Sequence, residues 1–112
     1  MGAFHRSLTQ ERWNSFCITS QILNIASELT RARNRLPDDT EDCQRSLERV
    51  LELIDYTIED REKWNRGRLK ELLRFRDLIA EQYVLRRLFR NDLDELIRVL
   101  LRMHASTASV EA

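Results

Sequence analysis

Apolar residues recur at helical spacing along almost the whole chain, and this periodicity limits the fold more than any other feature. Only two glycines and one proline interrupt the 112 residues. Spacings that alternate between four and three place side chains on one face of an α-helix. The chain is therefore expected to be all-α, with a single hydrophobic core. The clearest seam is formed by Ile18, Ile22, Ile25, Leu29, Ala32 and Leu36.

Capping residues and the single proline divide this pattern into helices. Pro37 disfavours helical geometry at Leu36, so the first helix is expected to stop there. The acids around Asp39 suit the start of a second helix. Gly67 is expected to take a left-handed conformation and to separate the second helix from the third. The predicted helices of a single domain over 8–104 are 8–35, 39–63, 68–90 and 92–104, between an N-terminal arm of residues 1–7 and a flexible tail of residues 105–112.

The boundary near Asn91 leaves two architectures open. Asn91 and Asp92 are each followed three residues later by an acid, a pattern typical of helix starts. This favours a break, but no glycine or proline forces one. We therefore expect an antiparallel up-and-down bundle of four helices, three long and a shorter C-terminal one. The alternative is a three-helix bundle with a long third helix.

The charges are balanced overall but segregated along the chain. There are 19 basic and 19 acidic residues, and all but two of the basic residues are arginine. Residues 38–62 contain ten acids and three arginines, whereas residues 66–90 contain eight bases and three acids. A net charge of zero gives no global attraction to nucleic acid or to anionic lipid. Because no apolar run reaches the roughly 18 residues of a membrane span, we expect a cytoplasmic protein without a membrane partner.

The residue types needed for metal binding or catalysis are scarce. His5 and His104 are the only histidines, and neither follows a glutamate at the spacing of di-iron bundles. Neither is placed to activate a serine or cysteine nucleophile. Gly2 and Gly67 cannot form a glycine-rich phosphate loop. The sequence therefore predicts no metal, no cofactor and no enzymatic activity.

The short connection at Pro37 also predicts a register. If the first two helices are antiparallel, facing residues have numbers that sum to about 75. Cys17 and Cys43 then lie about 20 Å apart along the axis, too far for a disulfide. We expect both to be buried and reduced. The same register brings Trp13 and Trp64 to one end of the bundle.

One pair of residues resembles a known motif. Arg98 and His104 are separated by five residues on the last predicted helix, which resembles the arginine and histidine motif of HEPN domains. These are small helical bundles that often cleave RNA. The resemblance covers only these two residues, and Val99 stands where members usually carry a polar residue. It implies a HEPN-like ribonuclease as one alternative function.

Arginines gather near two predicted helix ends that an up-and-down bundle brings to one pole. Such a pole could bind anions or the phosphates of nucleic acid. Acids at the neighbouring helix starts could instead neutralise it. The candidate anion-binding residues are Arg31, Arg33, Arg35, Arg86, Arg87 and Arg90.

The last third of the chain holds more apolar residues than a short helix can bury in its own bundle. This excess favours a non-enzymatic helical interaction module that either self-associates or is a small subunit of a larger assembly. Binding of RNA or another nucleic acid through the arginine pole is the main alternative. The candidate interface residues are Leu85, Phe89, Leu93, Leu96, Val99, Leu100 and Met103.

Overall fold

The computed structural model describes residues 8–85 and 88–111, with side chains up to residue 105. All regular secondary structure in these ranges is helical, which confirms the predicted all-α class. The predicted arm of residues 1–7 lies outside the described residues. The helices are α1 (Gln10–Asn14), α2 (Ile18–Asn34), α3 (Thr40–Ile58), α4 (Arg66–Leu85) and α5 (Arg90–Glu111).

The hydrophobic seam of the first predicted helix is confirmed, because all six of its members are buried. Most of them lie on α2, which packs extensively against both α3 and α5. Helix α3 also packs against α4, whereas α4 makes few contacts with α5. The core therefore centres on α2. Within the described residues, none of the helices has the length and apolar character needed to cross a membrane.

The predicted helix over 8–35 is divided into α1 and α2. Residues 15–17 interrupt it, and Cys17 has extended backbone angles as the N-cap of α2. The Ser15 hydroxyl donates a hydrogen bond to the Arg12 carbonyl at 2.6 Å. The carbonyl of Trp13 accepts a bond from the Gln21 side chain at 3.0 Å. The break is therefore stabilised by side chains that satisfy backbone groups released from the helix.

The end of the second predicted helix also differs. Helix α3 ends at Ile58, and the turns over 59–65 carry Asp60 and Trp64 into the core. The left-handed residue is Arg66, with φ of 49°, and not Gly67. Gly67 lies in the first turn of α4. The prediction for Gly67 is therefore wrong, because the reversal is completed one residue earlier.

The junction near Asn91 contains a break, as the sequence favoured. Helix α4 ends at Leu85 and α5 begins at Arg90, so the alternative with one long third helix is wrong. Helix α5 continues to Glu111, beyond the predicted end at residue 104. The predicted tail is helical over most of its length, because residues 105–111 contain no glycine or proline that would end a helix.

Candidate functional site

A buried polar network joins α1, α2 and the turn after α3. Gln21 and Asp60 are its centre, with exposed fractions of 0% and 2%. The Gln21 amide nitrogen donates to an Asp60 carboxylate oxygen at 2.8 Å and to the Trp13 carbonyl at 3.0 Å. Its oxygen accepts the indole N–H of Trp64 at 2.7 Å. Lys63 also donates to Asp60, at 3.0 Å. Gln21 therefore links the backbone of Trp13 to the indole of Trp64.

The remaining polar groups of this network are also partnered. The indole N–H of Trp13 donates to the Thr57 hydroxyl at 3.0 Å, and that hydroxyl donates to the Leu53 carbonyl at 2.7 Å. Lys63 donates a second bond to the Asn14 carbonyl at 2.5 Å. Buried polar groups satisfied in this way stabilise and specify a fold. We therefore assign this network to the fold rather than to ligand binding.

The two cysteines lie in different environments. Neither forms a disulfide. Cys43 is buried, and burial, followed by the nearby Asp42 carboxylate, raises the pKa of its thiol to about 11. Cys17 is exposed, so the prediction that both are buried is wrong for this residue. The reason is the helix break, which places Cys17 at a cap position outside the α2 core seam.

The three predicted arginines near the end of α2 are each bound to a carboxylate. Such pairs reduce the positive charge available to an external anion. The acids come from α2, α3 and α5, so the pairs also connect helices. Arg31 pairs with Glu28 at 2.9 Å, Arg33 with Asp94 at 2.7 Å, and Arg35 with Asp42 at 2.5 Å.

The other three predicted anion-binding residues are not brought together with these pairs by any described contact. Arg90 is exposed at the start of α5. Arg86 and Arg87 lie outside the described residues. The four described arginines of the predicted cluster are therefore three ion-paired side chains and one exposed arginine.

The HEPN-like pair is also located on α5. Arg98 is exposed and paired with Glu95, whereas His104 is half-buried. A separation of six residues along a helix rotates two side chains about 120° apart and shifts them by about 9 Å. Arg98 and His104 therefore lie on different sides of α5. Within residues 8–85 and 88–111, no cluster of three histidine, cysteine or acidic residues could hold a metal ion.

The predicted interface residues divide into two groups. Leu93, Leu96, Leu100 and Met103 are buried in the core of this chain, because α5 packs against α2. Assigning these four to an interface with a partner is therefore wrong. Val99 is half-buried.

Leu85 and Phe89 remain exposed, each with an exposed fraction of 56%. Val84, which was not predicted, is 73% exposed beside them. We refer to Val84, Leu85, Phe89 and Arg90 as the α4–α5 junction. All four side chains are exposed, and three of them are apolar.

A cleft of about 520 Å³ lies along the outer side of α3. Four carboxylates line it, together with one leucine and two tyrosine rings. The acids are spaced by four, three and four residues, which places them on one face of the helix. These four acids were counted in the sequence, but their position on one common face of the helix was not predicted. The acidic cleft is lined by Gln10, Glu48, Leu51, Glu52, Asp55, Tyr56, Glu59 and Tyr83.

Contacts with α1 and α4 hold the walls of the acidic cleft. The Tyr83 hydroxyl of α4 donates to a Glu48 carboxylate oxygen at 2.6 Å. Arg76 donates to Asp55 at 2.8 Å, and this hydrogen bond raises the pKa of the guanidinium. On the other side, the Gln10 amide donates to the Tyr56 carbonyl at 2.7 Å. The cleft therefore has walls from three helices.

A second concave surface lies between α4 and α5. This groove has a volume of about 430 Å³ and differs from the acidic cleft in charge. Two arginines and one glutamate accompany its apolar side chains. We call it the basic groove, lined by Glu71, Arg74, Phe75, Leu78, Val99, Arg102 and Met103.

The surface of the protein thus presents an apolar junction, an acidic cleft and a basic groove. The chain matches no protein-family model, no curated protein and no solved structure.

Proposed function

We propose that this protein is a non-enzymatic helical interaction module that self-associates through the α4–α5 junction. The observation that supports this is the exposure of three large apolar side chains, Val84 at 73% and Leu85 and Phe89 at 56% each. Apolar area left in water costs about 25 cal/mol per Å² relative to burial. A contiguous apolar patch on a protein surface often marks an interaction site, and we propose that these side chains form one. Those predicted interface residues that remain exposed lie at this junction.

We also infer that neighbouring helices are antiparallel and follow an up-and-down order. Two pairs of contacts support this for α3 and α4. Glu48 bonds to Tyr83, and further along α3 Asp55 bonds to Arg76. Residue numbers rise on one helix while they fall on the other. In this arrangement the chain reversal between α4 and α5 lies at an end of the molecule, where a partner can reach it.

The proposal is tested with a variant that carries Leu85→Asp and Phe89→Asp. Both side chains are exposed, so the substitutions add charge to the surface without disturbing the core. Light scattering coupled to size exclusion should show a dimer for the wild-type chain and a monomer for this variant. Far-UV circular dichroism checks that the helical content is unchanged.

A matched control is Leu101→Asp. Leu101 is also an exposed leucine, 43% exposed, but it lies on α5 outside the junction. This variant should remain as associated as the wild-type chain. Equal loss of association in Leu101→Asp and in the junction variant would contradict the assignment of the interface to the junction.

A further inference from the structure

We infer that the basic groove between α4 and α5 binds a compact amphipathic monoanion, a carboxylate carried on an apolar chain. None of the residues that line this groove belongs to the α4–α5 junction, so the site does not require the proposed self-association. The floor of the groove, its charged side chains and its size support this ligand class.

The floor of the basic groove is apolar and comes from both helices. Phe75 on α4 and Met103 on α5 are buried, with exposed fractions of 1% and 8%. Leu78 is 43% exposed and Val99 is half-buried, so both keep apolar area in contact with water. A ligand that covers this area removes it from water, which is favourable. The floor therefore favours a ligand with an apolar part.

The two arginines of the groove are available to a ligand. Arg74 belongs to α4 and Arg102 to α5, and both side chains are exposed. Neither forms a hydrogen bond or an ion pair with another residue in the described part of the chain. Arg33, in contrast, is bound by Asp94 at 2.7 Å. The groove therefore offers two guanidinium groups whose charge no described side chain neutralises by direct contact.

The balance of charge in the groove suits a ligand with a single negative charge. Glu71 also lines the groove, so two arginines and one acid leave one positive charge. A guanidinium can bind a carboxylate through two parallel hydrogen bonds. The attraction from Arg74 and Arg102 therefore exceeds the repulsion from Glu71 for a carboxylate held between the two arginines.

The antiparallel order proposed above separates the charged and apolar parts of the groove along its length. Residue numbers then rise along the wall from α4 and fall along the wall from α5. This order places Arg74 and Arg102 toward one end of the groove, and Leu78 and Val99 toward the other. A ligand with an anionic head and an apolar chain matches this order.

The size of the groove suits a small molecule. Its lining on α4 runs from Glu71 to Leu78, which is about 10 Å along a helix. Its volume of about 430 Å³ lies in the range of small-molecule pockets. An extended octanoate chain has a similar length, so octanoate is the probe for this site.

The experiment is an NMR titration of the isotope-labelled full chain with octanoate, 1-octanol and octylammonium, which share an apolar chain and differ in charge. Octanoate should bind with a Kd of about 1 mM or below. It should shift the amide signals of Phe75, Leu78 and Val99. The neutral and cationic probes should bind at least about fivefold more weakly, because neither pairs with the arginines.

The test variant carries Arg74→Gln and Arg102→Gln. Its Kd for octanoate should rise at least about fivefold, whereas its Kd for 1-octanol should not change. Glu71→Gln should bind octanoate more tightly, because a repulsive charge is removed. The control, Arg45→Gln with Arg61→Gln, removes two exposed arginines outside the groove and should bind octanoate as the wild-type chain does. Far-UV circular dichroism checks that each variant keeps its helical content.

Three results would overturn the inference. Equal affinity for octanoate and 1-octanol would show that the arginines take no part in binding. Unchanged octanoate binding in the test variant, or signal shifts only outside the groove, would place the binding site elsewhere. Absence of octanoate binding would remove the site altogether. Each of these results leaves the proposed self-association untouched, because light scattering tests that without any ligand.

Discussion

Gln21 is the residue on which the packing of the tryptophan end depends. Its side chain is fully buried and makes three hydrogen bonds, to Asp60, to Trp64 and to the backbone of Trp13. One amide therefore connects α2 with α1 and with the turn after α3. Removing it would leave a carboxylate, an indole N–H and a carbonyl without that partner in a region shielded from water.

The first prediction concerns Gln21→Leu, which keeps a similar volume and removes the hydrogen bonds. Because the stranded groups include a charged carboxylate, the free energy of unfolding should fall by about 3 kcal/mol. Urea denaturation measures this change. Asn24→Ala is the control, since Asn24 is exposed and donates only to the Ser20 carbonyl. The control should change stability by less than about 0.5 kcal/mol, and an equally small effect of Gln21→Leu would contradict the account.

The second prediction concerns Glu28, which is 4% exposed and carries one carboxylate oxygen with no hydrogen-bond partner in the described part of the chain. Burial raises the pKa of Glu28 above 4.5, although Arg31 and Arg49 act in the opposite direction. The folded state therefore binds this proton more tightly than the unfolded state. The protonated carboxyl therefore stabilises the folded state at pH values below the pKa that Glu28 has in the unfolded chain. This stabilisation is lost as the pH rises through the pKa that Glu28 has in the folded state.

The wild-type chain should consequently lose stability relative to Glu28→Gln as the pH rises from below 4.5 to neutrality. Urea midpoints of both proteins at the two pH values measure this difference. A difference in stability that does not change with pH would show that Glu28 has the same pKa in both states.

Single residues also show where sequence reasoning stops. Gln21 lies beside Ile22 in the core seam, and nothing in the local sequence marks it as buried. Its partner Asp60 is 39 residues away. Cys17 was expected in the core because it continues the apolar pattern, but the backbone break before α2 leaves its side chain exposed. The burial of Gln21 depends on a partner far away in the sequence, and the exposure of Cys17 depends on a backbone break; periodicity encodes neither.

At the scale of elements, two adjacent residues at the start of α4 have backbone angles that are the reverse of what their residue types favour. Arg66 has a positive φ of 49°, whereas the adjacent Gly67 does not. A Cβ added to Gly67 would have no atom within 4 Å. A glycine therefore occupies an open helical position, and a residue with a side chain occupies the position that favours glycine.

The third prediction follows from this arrangement. Gly67→Ala should raise the free energy of unfolding by about 0.5–1 kcal/mol, because alanine favours the helix and meets no steric conflict. Arg66→Gly should also be stabilising, since it relieves the left-handed backbone. Thermal or urea unfolding of both variants tests the pair. Destabilisation by Gly67→Ala would show that Gly67 adopts the left-handed conformation that the sequence suggested.

The elements themselves were predictable where the signal is local. The seam of α2 follows from spacing, and the end of that helix follows from Pro37. The break between α1 and α2 was not predictable, because the bond from Gln21 to the Trp13 carbonyl compensates for the lost helical bonds. The early end of α3 was missed for a similar reason, since the burial of Asp60 and Trp64 draws the chain inward.

At the scale of the whole molecule, α4 buries fewer of its side chains than α2 or α3. Only Leu72, Phe75 and Ile79 are buried on its 20 residues. The sequence pattern predicted an apolar excess in the last third of the chain and assigned it mainly to the last helix. Counting apolar residues could not show that α5 fills the core beside α2. Among the described apolar side chains, Val84, Leu85 and Phe89 have the highest exposed fractions.

The central claim is that this uncovered junction makes the chain self-associate, and sedimentation equilibrium of the wild-type protein tests it most directly. One chain has a mass of 13.4 kDa. We expect an average mass that rises toward twice this value as the concentration increases through the micromolar range, as for a small interface. A mass that stays at 13.4 kDa at every concentration would contradict it.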